Sequence, residues 1–269
     1  QPMPNGNILV LCWEYKSEPD AIASGRNPNG LQDNQLWPTY ILEVAPVGNN
    51  SINIVWEWHV WDHLVQDIDT TKSNYGIVAN YPELLNINSY NGNGAKDWLH
   101  CNSIDYNPQL DQIIISSRKL SEFYIIDHST TSAEAATHSG GIYGKGGDIL
   151  YRWGNPQRYD NGTPNNQQLF GQHDVRWIPA NYPDGGKIIL FNNGESRGYS
   201  TLDIISPPTN SNGHYFINTN NNFGPDSAEW VYTDPIPIDF YASYISGVQR
   251  LANGNTLICD GPHGTFFEL

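Results

Sequence analysis

The sequence predicts an all-β protein of the β-propeller class, and two features of the chain carry that prediction. A short apolar run typical of a β-strand occurs four times, centred on Leu9, Ile114, Ile189 and Leu257. The centres are 68 to 105 residues apart, which is too far for a solenoid repeat but fits propeller blades that carry long loops. The composition agrees, because 15% charged and 12% aromatic residues favour sheets over surface helices.

The repeated unit extends into further strand-like segments in a fixed order. A lead-in segment precedes each apolar run, a third segment follows it, and a fourth segment carries a tryptophan. Four antiparallel strands make one propeller blade. We therefore expect a single propeller domain over residues 1–269, with approximate blades at residues 1–62, 97–155, 171–233 and 245–269.

The two ends of the chain break this order. Only Gln1 to Met3 precede the first turn, which leaves no room for a lead-in strand, and no fourth strand follows Leu269. A propeller closes by joining its first and last blades, because an unpaired sheet edge is a liability. We therefore expect roughly four blades of a ring that is truncated at both ends, completed by further sequence, by a second chain or in a homo-oligomer.

Composition and charge narrow the classes of partner. The net charge is −15 with only 13 lysines and arginines, which argues against nucleic acid and anionic membrane surfaces. No apolar stretch approaches the roughly 20 residues needed to span a bilayer. The three cysteines, Cys12, Cys101 and Cys259, lack CxxC spacing and are expected to be free thiols. The glycine-rich stretch 140–147 lacks the residues of a phosphate-binding loop and is expected to be flexible.

The candidate functional residues lie at the start of the lead-in strands. Innermost strands line the channel of a propeller, so residues at equivalent positions converge even when they are distant in sequence. These positions and the ends of the neighbouring apolar runs hold His100, Asn102, Arg118, His173, Asp174, Arg197, Ser246 and Gln249. Two imidazoles beside a guanidinium and an amide suit an oxyanion such as sulfate or phosphate. A histidine can also act as a nucleophile near neutral pH. Alternatively, His100 and His173 only cap blade strands by hydrogen bonding to neighbouring backbone.

Four strings of the sequence resemble the bacterial arylsulfate sulfotransferases. They are residues 4–10 (PNGNILV), 97–104 (DWLHCNSI), 171–174 (GQHD) and 246–257 (SGVQRLANGNTL), and the resemblance runs through nearly the whole chain. It implies a six-bladed propeller that moves a sulfuryl group from a phenolic sulfate ester to another phenol through a sulfohistidine. It also implies that no nucleotide sulfate donor or other cofactor takes part, and that the protein is periplasmic or secreted.

Carried over by position, the resemblance implies that His173 is the nucleophile. It implies sulfate-binding and leaving-group roles for His100, Asn102 and Arg118, with Arg197 and Ser246 as further substrate contacts. The family has another histidine in the preceding blade, which here would fall before Gln1. Two other functions stay open: a non-catalytic propeller that binds an acidic glycan or a protein partner, and a propeller polysaccharide lyase.

A second histidine cluster allows a metal site as a lesser alternative. His59 and His63, with Asp62 and Asp67 nearby, would present two imidazoles on one face if the segment were helical. The strand alternation before them indicates that only the later half is helical, which favours a buried structural loop. The remaining histidines stand alone in polar turns and are expected to be exposed: His128, His138, His214 and His263.

Overall fold

The structure, a computed structural model, describes residues 1–31, 33–89 and 96–269, and it consists mainly of antiparallel β-sheet. In these ranges the two α-helices are short, α1 at Glu18–Ala23 and α2 at Ser132–Ala135. None of the described helices is long and apolar enough to cross a membrane. The described part of the chain thus agrees with the prediction that long helices are scarce.

The strands of the described residues are short, and most have four to nine residues. In chain order they are β1 Ile8–Trp13, β2 Lys16–Ser17, β3 Gln35–Leu36, β4 Thr39–Val47, β5 Ser51–His59, β6 Leu64–Val65, β7 Leu85–Asn86, β8 Cys101–Asn107, β9 Gln112–Ser117, β10 Glu122–Asp127, β11 Ile149–Trp153, β12 His173–Trp177, β13 Ile188–Asn192, β14 Thr201–Ile205, β15 Trp230–Tyr232, β16 Gly247–Arg250, β17 Thr256–Asp260 and β18 Thr265–Glu268.

Four sheets follow one another along the chain, and none closes on itself. Their strand orders are β1-β4-β5, β8-β9-β10-β11, β12-β13-β14-β15 and β16-β17-β18. In the second and third sheets the order is lead-in segment, apolar run, third segment and tryptophan-bearing segment, as the sequence pattern predicts. The long connections carry two small sheets, the antiparallel pair β2-β3 and the parallel pair β6-β7.

The two middle apolar runs, β9 and β13, are buried on both faces, which explains why they show no polar alternation. Side chains alternate between the two faces of a strand. Ile113 and Ile115 of β9 therefore pack into the hydrophobic cluster shared with the first sheet, whereas Ile114 packs into the cluster shared with the third. In β13, Ile189 likewise faces the fourth sheet. The sheets thus stack face to face with one apolar layer between each neighbouring pair.

The first strands of the sheets lie side by side, linked by acidic side chains. β1 packs against β8, β8 against β12, and β12 against β16. Asp105 in β8 accepts a hydrogen bond from the Trp177 backbone nitrogen at 3.0 Å, and Asp174 in β12 accepts one from Val248 at 2.8 Å. Burial raises the pKa of both carboxyl groups. These links bring the starts of three lead-in strands, β8, β12 and β16, to one end of the same row.

The long connections and the glycine-rich stretch are more ordered than their polar composition indicates. Helix α1 begins with a capping box between Ser17 and Asp20. The buried guanidinium of Arg152 pairs with Glu122 and donates to the Pro82 and Leu84 carbonyls, so the connection after β5 is fastened to the second sheet. In residues 140–147, a Cβ at position 147 would lie 2.0 Å from a backbone oxygen. This stretch is a packed turn, and the expectation of a flexible loop is wrong.

Candidate active site

The three lead-in strands share an unusual backbone conformation where they begin. His100 directly precedes β8, Asp174 is the second residue of β12, and Ser246 directly precedes β16. Their φ angles are 49°, 54° and 84°, in the left-handed region that non-glycine residues rarely adopt. Backbone strain of this kind persists only where the surrounding structure imposes it, and it concentrates at ligand sites. Each of the three lead-in strands thus begins beside a left-handed residue, although this residue does not hold the same position in the three strands.

His173 is the first residue of β12, and its tautomer is fixed by a neighbouring amide. Its Nδ1 lies 2.8 Å from Oδ1 of Asn193, which follows β13. The amide nitrogen of Asn193 donates to the Ala242 and Ile245 carbonyls at 2.7 and 2.9 Å, so the amide oxygen must face the imidazole. An amide oxygen only accepts hydrogen bonds. Nδ1 of His173 therefore carries the proton, and Nε2 keeps its lone pair.

The surroundings of His173 keep its ring neutral. Burial lowers the pKa of His173 below its ordinary value of 6.5, and the hydrogen bond to Asn193 opposes this only in part. The positive charges of Arg118 and His100 lower it further. The starts of β8 and β12 and the end of β9 are thus close enough to influence one another electrostatically. A neutral imidazole with a free Nε2 is the form required of a nucleophile.

His100 has the opposite kind of partner, a carboxylate. Its Nδ1 lies 2.5 Å from Oδ2 of Asp97, and its backbone nitrogen donates to the other carboxylate oxygen at 3.0 Å. Burial raises the pKa of Asp97, but the hydrogen bonds and charge of His100 outweigh it and hold that pKa below its usual range. The ring is 41% exposed. Asp97 thus fixes the proton on Nδ1 and leaves Nε2 as the outward nitrogen.

Arg118 and Asn102 connect the start of β8 to its neighbours. The Arg118 backbone nitrogen donates to the His100 carbonyl at 3.2 Å, which holds the end of β9 beside the start of β8. Asn102 donates from Nδ2 to the Gln172 carbonyl at 2.8 Å and so holds the backbone that enters β12. Among the described residues its buried Oδ1 has no hydrogen-bond partner.

Arg197 and Ser246 make local contacts. The Arg197 guanidinium stacks over the rings of Phe170 and Tyr199 at 4.9 and 4.7 Å and donates to the Thr201 hydroxyl. Burial lowers its pKa. The hydroxyl of Ser246 accepts from the Gly261 backbone nitrogen at 3.0 Å. The structure therefore brings together His100, Arg118 and His173, while Arg197 and Ser246 are held by their own surroundings.

Two residues of this site were not singled out by the sequence, Asn193 and Glu195. The Asn-Asn-Gly string at 192–194 indicated only a turn. Glu195 pairs through Oε1 with the Arg118 guanidinium at 2.8 Å, and its Oε2 would lie 2.8 Å from a Cβ at Gly171. The carboxylate of Glu195 is therefore already paired with the Arg118 guanidinium, which is the cation that an anionic substrate would need. One sequence feature could have pointed to Glu195: it is an acidic residue directly after Gly194, in the turn that follows the third apolar run.

His59 and His63 do not lie on one helix, so they do not form the two-histidine helical face that the metal-site alternative requires. His59 ends β5, and a single 3₁₀ turn at Val60–Asp62 separates it from His63. His59 lies 3.4 Å from Glu14, whereas His63 is fully buried. His63 is buried in a loop, as the structural-loop interpretation expects, but the expectation that the later half of the segment is helical is wrong, because the single 3₁₀ turn is followed by strand β6 at Leu64–Val65.

Of the histidines expected to be exposed, His128 is wrongly predicted. Its ring is 11% exposed and bridges Asp111 and Glu43 at 2.7 and 2.9 Å. The cause is its place directly after β10, where the chain still lies against the first sheet and Trp56. His138, His214 and His263 are exposed as expected. The three cysteines are free thiols, also as expected.

Comparison with known proteins identifies the family of this chain. A search of curated proteins found no match to the chain. The family model described as Arylsulfotransferase (ASST) matches residues 1–268, which include all the strands above and each candidate residue. Because the match spans essentially the full sequence, the chain belongs to the arylsulfotransferase family, whose members transfer sulfuryl groups between aryl compounds without a nucleotide donor.

Proposed function

We propose that this protein transfers a sulfuryl group from a phenolic sulfate ester to a phenol acceptor through a covalent intermediate on Nε2 of His173. The observation that carries the proposal is the Asn193 amide, whose orientation is fixed by two backbone carbonyls and which therefore assigns the lone pair of His173 to Nε2. The family match supports the reaction class, and the site supports the choice of residue.

In the first step, Nε2 of His173 attacks the sulfur of the donor. The N–S bond forms while the S–O bond to the aryl group breaks, and the electron pair leaves on the phenolate oxygen. Protonation of this oxygen from Nε2 of His100 releases a neutral phenol. Arg118 neutralises the charge on the sulfuryl oxygens, and it must exchange Glu195 for the substrate to do so.

In the second step, the oxygen of the acceptor phenol attacks the same sulfur. The N–S bond breaks, its electron pair returns to Nε2 of His173, and the acceptor proton passes to the now neutral His100. Asn193 keeps the proton on Nδ1 throughout, because an amide oxygen is too weak a base to remove it. The ring of the N-sulfonated intermediate is therefore an imidazolium, so that neutral imidazole leaves in the second step, and neutral imidazole is a better leaving group than the imidazolate anion.

We further propose that the four sheets are consecutive blades of a propeller and that β8, β12 and β16 line its channel. The side-by-side packing of these strands and the apolar layers between the sheets support this arrangement. His100 and His173 would then reach the channel from adjacent blades. The family resemblance supports small aryl sulfates and phenols as partners and a periplasmic or secreted location.

Incubating the purified protein with a chromogenic aryl sulfate and a phenol acceptor tests the proposal. We expect a burst of the donor phenol, then turnover that produces the sulfated acceptor, with both lost in His173→Asn and kept in His214→Asn, which changes an exposed histidine. Absence of sulfated product from the folded protein would contradict the proposal. Saturable binding of an acidic glycan would then favour a binding propeller, and unsaturated sugar products would favour a lyase.

A further inference from the structure

A second group of ionisable side chains lies at the outer edge of the first two sheets, away from the starts of the lead-in strands. His63, His138 and Asp148 come from three separate segments: the turn after β5, the loop after α2 and the residue before β11. One ligand atom from each lies within 4.8 Å of the others. This group, which we call the outer histidine cluster, takes no part in the proposed reaction.

His63 is fixed on every side. It is fully buried, its ring stacks on Trp58 with centroids 5.6 Å apart and planes 7° apart, and a Cβ at Gly147 would lie 2.5 Å from its Nε2. Nε2 lies 2.8 Å from the Ala135 carbonyl oxygen. Because a carbonyl only accepts, Nε2 carries a proton.

The other nitrogen of His63 faces a second acceptor. Nδ1 lies 2.8 Å from Oδ1 of Asp148, which is 5% exposed. Nδ1 of His138 lies 2.8 Å from the same oxygen. Since Nε2 already holds the ring proton of a neutral imidazole, the contact between Nδ1 and the carboxylate requires either an additional proton or a cation. Two imidazole nitrogens and a carboxylate oxygen are a preferred ligand set of zinc-type divalent ions.

We propose that the outer histidine cluster binds one zinc-type divalent cation through Nδ1 of His63, Nδ1 of His138 and Oδ1 of Asp148. The hydrogen bond from Nε2 of His63 to Ala135 is the outer contact that orients a metal-bound histidine. Tetrahedral coordination places ligand atoms about 3.4 Å apart, so the two 2.8 Å contacts must open slightly. The exposed loop that carries His138, whose ring is 63% exposed, can make that adjustment.

Two of the three proposed ligands border a cavity of about 730 Å³, from which a fourth ligand could reach the ion. His138 and Asp148 line this cavity, together with Glu83 and Lys145. Three protein ligands and one open position are the arrangement that lets zinc hold a water or a small anion. The cation also ties the turn after β5 and the loop after α2 to the start of β11, so its binding should raise the melting temperature.

The test uses the full chain after treatment with a chelator, titrated with Co²⁺ and with Zn²⁺ and followed by visible absorption, calorimetry and thermal unfolding. We expect one ion per chain, the absorption bands of four-coordinate Co²⁺ and a higher melting temperature. His138→Ala should weaken binding at least about 100-fold, since it removes a ligand.

The matched control is His263→Ala, which removes another exposed histidine that contacts a single aspartate, Asp260, at 2.9 Å. It should leave the stoichiometry and affinity unchanged. No stoichiometric binding by the unsubstituted protein, or equal loss in both variants, would overturn the proposal. Sulfuryl transfer is measured separately, so failure of one proposal is distinguishable from failure of the other.

Discussion

The starts of β8 and β12 occupy the same place in consecutive sheets, yet their histidines have different partners. Nδ1 of His100 faces the carboxylate of Asp97, whereas Nδ1 of His173 faces the neutral amide of Asn193. A carboxylate favours the charged ring, and an amide in a buried place favours the neutral ring. The starts of two neighbouring strands thus each supply a histidine, and we infer that the partner on Nδ1 decides which one serves as proton donor and which as nucleophile.

The largest expected effect comes from removing the nucleophile. His173→Asn should lower turnover at least about 10³-fold, because loss of a covalent nucleophile removes the whole two-step route. His100→Asn should cost less, since it removes only proton transfer, which contributes about 10²-fold to 10⁴-fold. Steady-state rates with one chromogenic donor check this order. A His100 variant that is more impaired than the His173 variant would reverse the assigned roles.

The next effect concerns Arg118, whose charge acts on His173. Arg118→Ala should lower kcat/KM about 10²-fold or more, because it removes charge-assisted hydrogen bonds to the sulfuryl oxygens. Glu195→Gln keeps the arginine but removes the carboxylate that pairs with it at 2.8 Å. This variant should therefore bind the aryl sulfate with an equal or lower KM. Equal losses in both variants would show that the ion pair, and not the free cation, matters.

The pH profile tests the partner of His173. Burial lowers the pKa of this ring below 6.5, so the neutral nucleophile persists below that pH and activity falls only when more acidic solution protonates it. Asn193→Asp places a carboxylate on Nδ1 and should raise that pKa, moving the acidic limb of kcat/KM to higher pH. Asn193→Ala removes the contact without adding charge and should lower kcat without an upward shift. An acidic limb that stays in place in the aspartate variant would count against His173 as the titrating group.

The smallest expected effect concerns the partner of His100. Asp97→Asn removes the carboxylate that contacts Nδ1 of His100 and should reduce transfer from donors with poor leaving groups about 10-fold. Donors whose phenol leaves without protonation should react almost as before. Rates plotted against the pKa of the leaving phenol measure this difference. A uniform loss across all donors would indicate a positional role for Asp97 instead.

Much of the fold was predictable because it depends on local pattern. The apolar runs predicted β9 and β13, and the lead-in segments placed His100 and His173 near the starts of β8 and β12. Asn193 and Glu195 were not predictable, because their role arises from a turn that approaches a different strand in space. The pairing of His63 with Asp148 spans 85 residues and follows from how two sheets stack. The prediction that His128 is exposed was wrong for the same reason: its turn is polar in sequence, but the fold buries it between two sheets.

The most direct test is to trap the sulfuryl group on the protein. The protein is mixed with an aryl sulfate in the absence of acceptor, quenched at neutral to alkaline pH, digested and examined by mass spectrometry. We predict one sulfuryl group per chain, located on His173, discharged by added phenol and absent from the His173→Asn variant. An active protein that never carries the group on His173, or a variant that still carries it, would contradict the account.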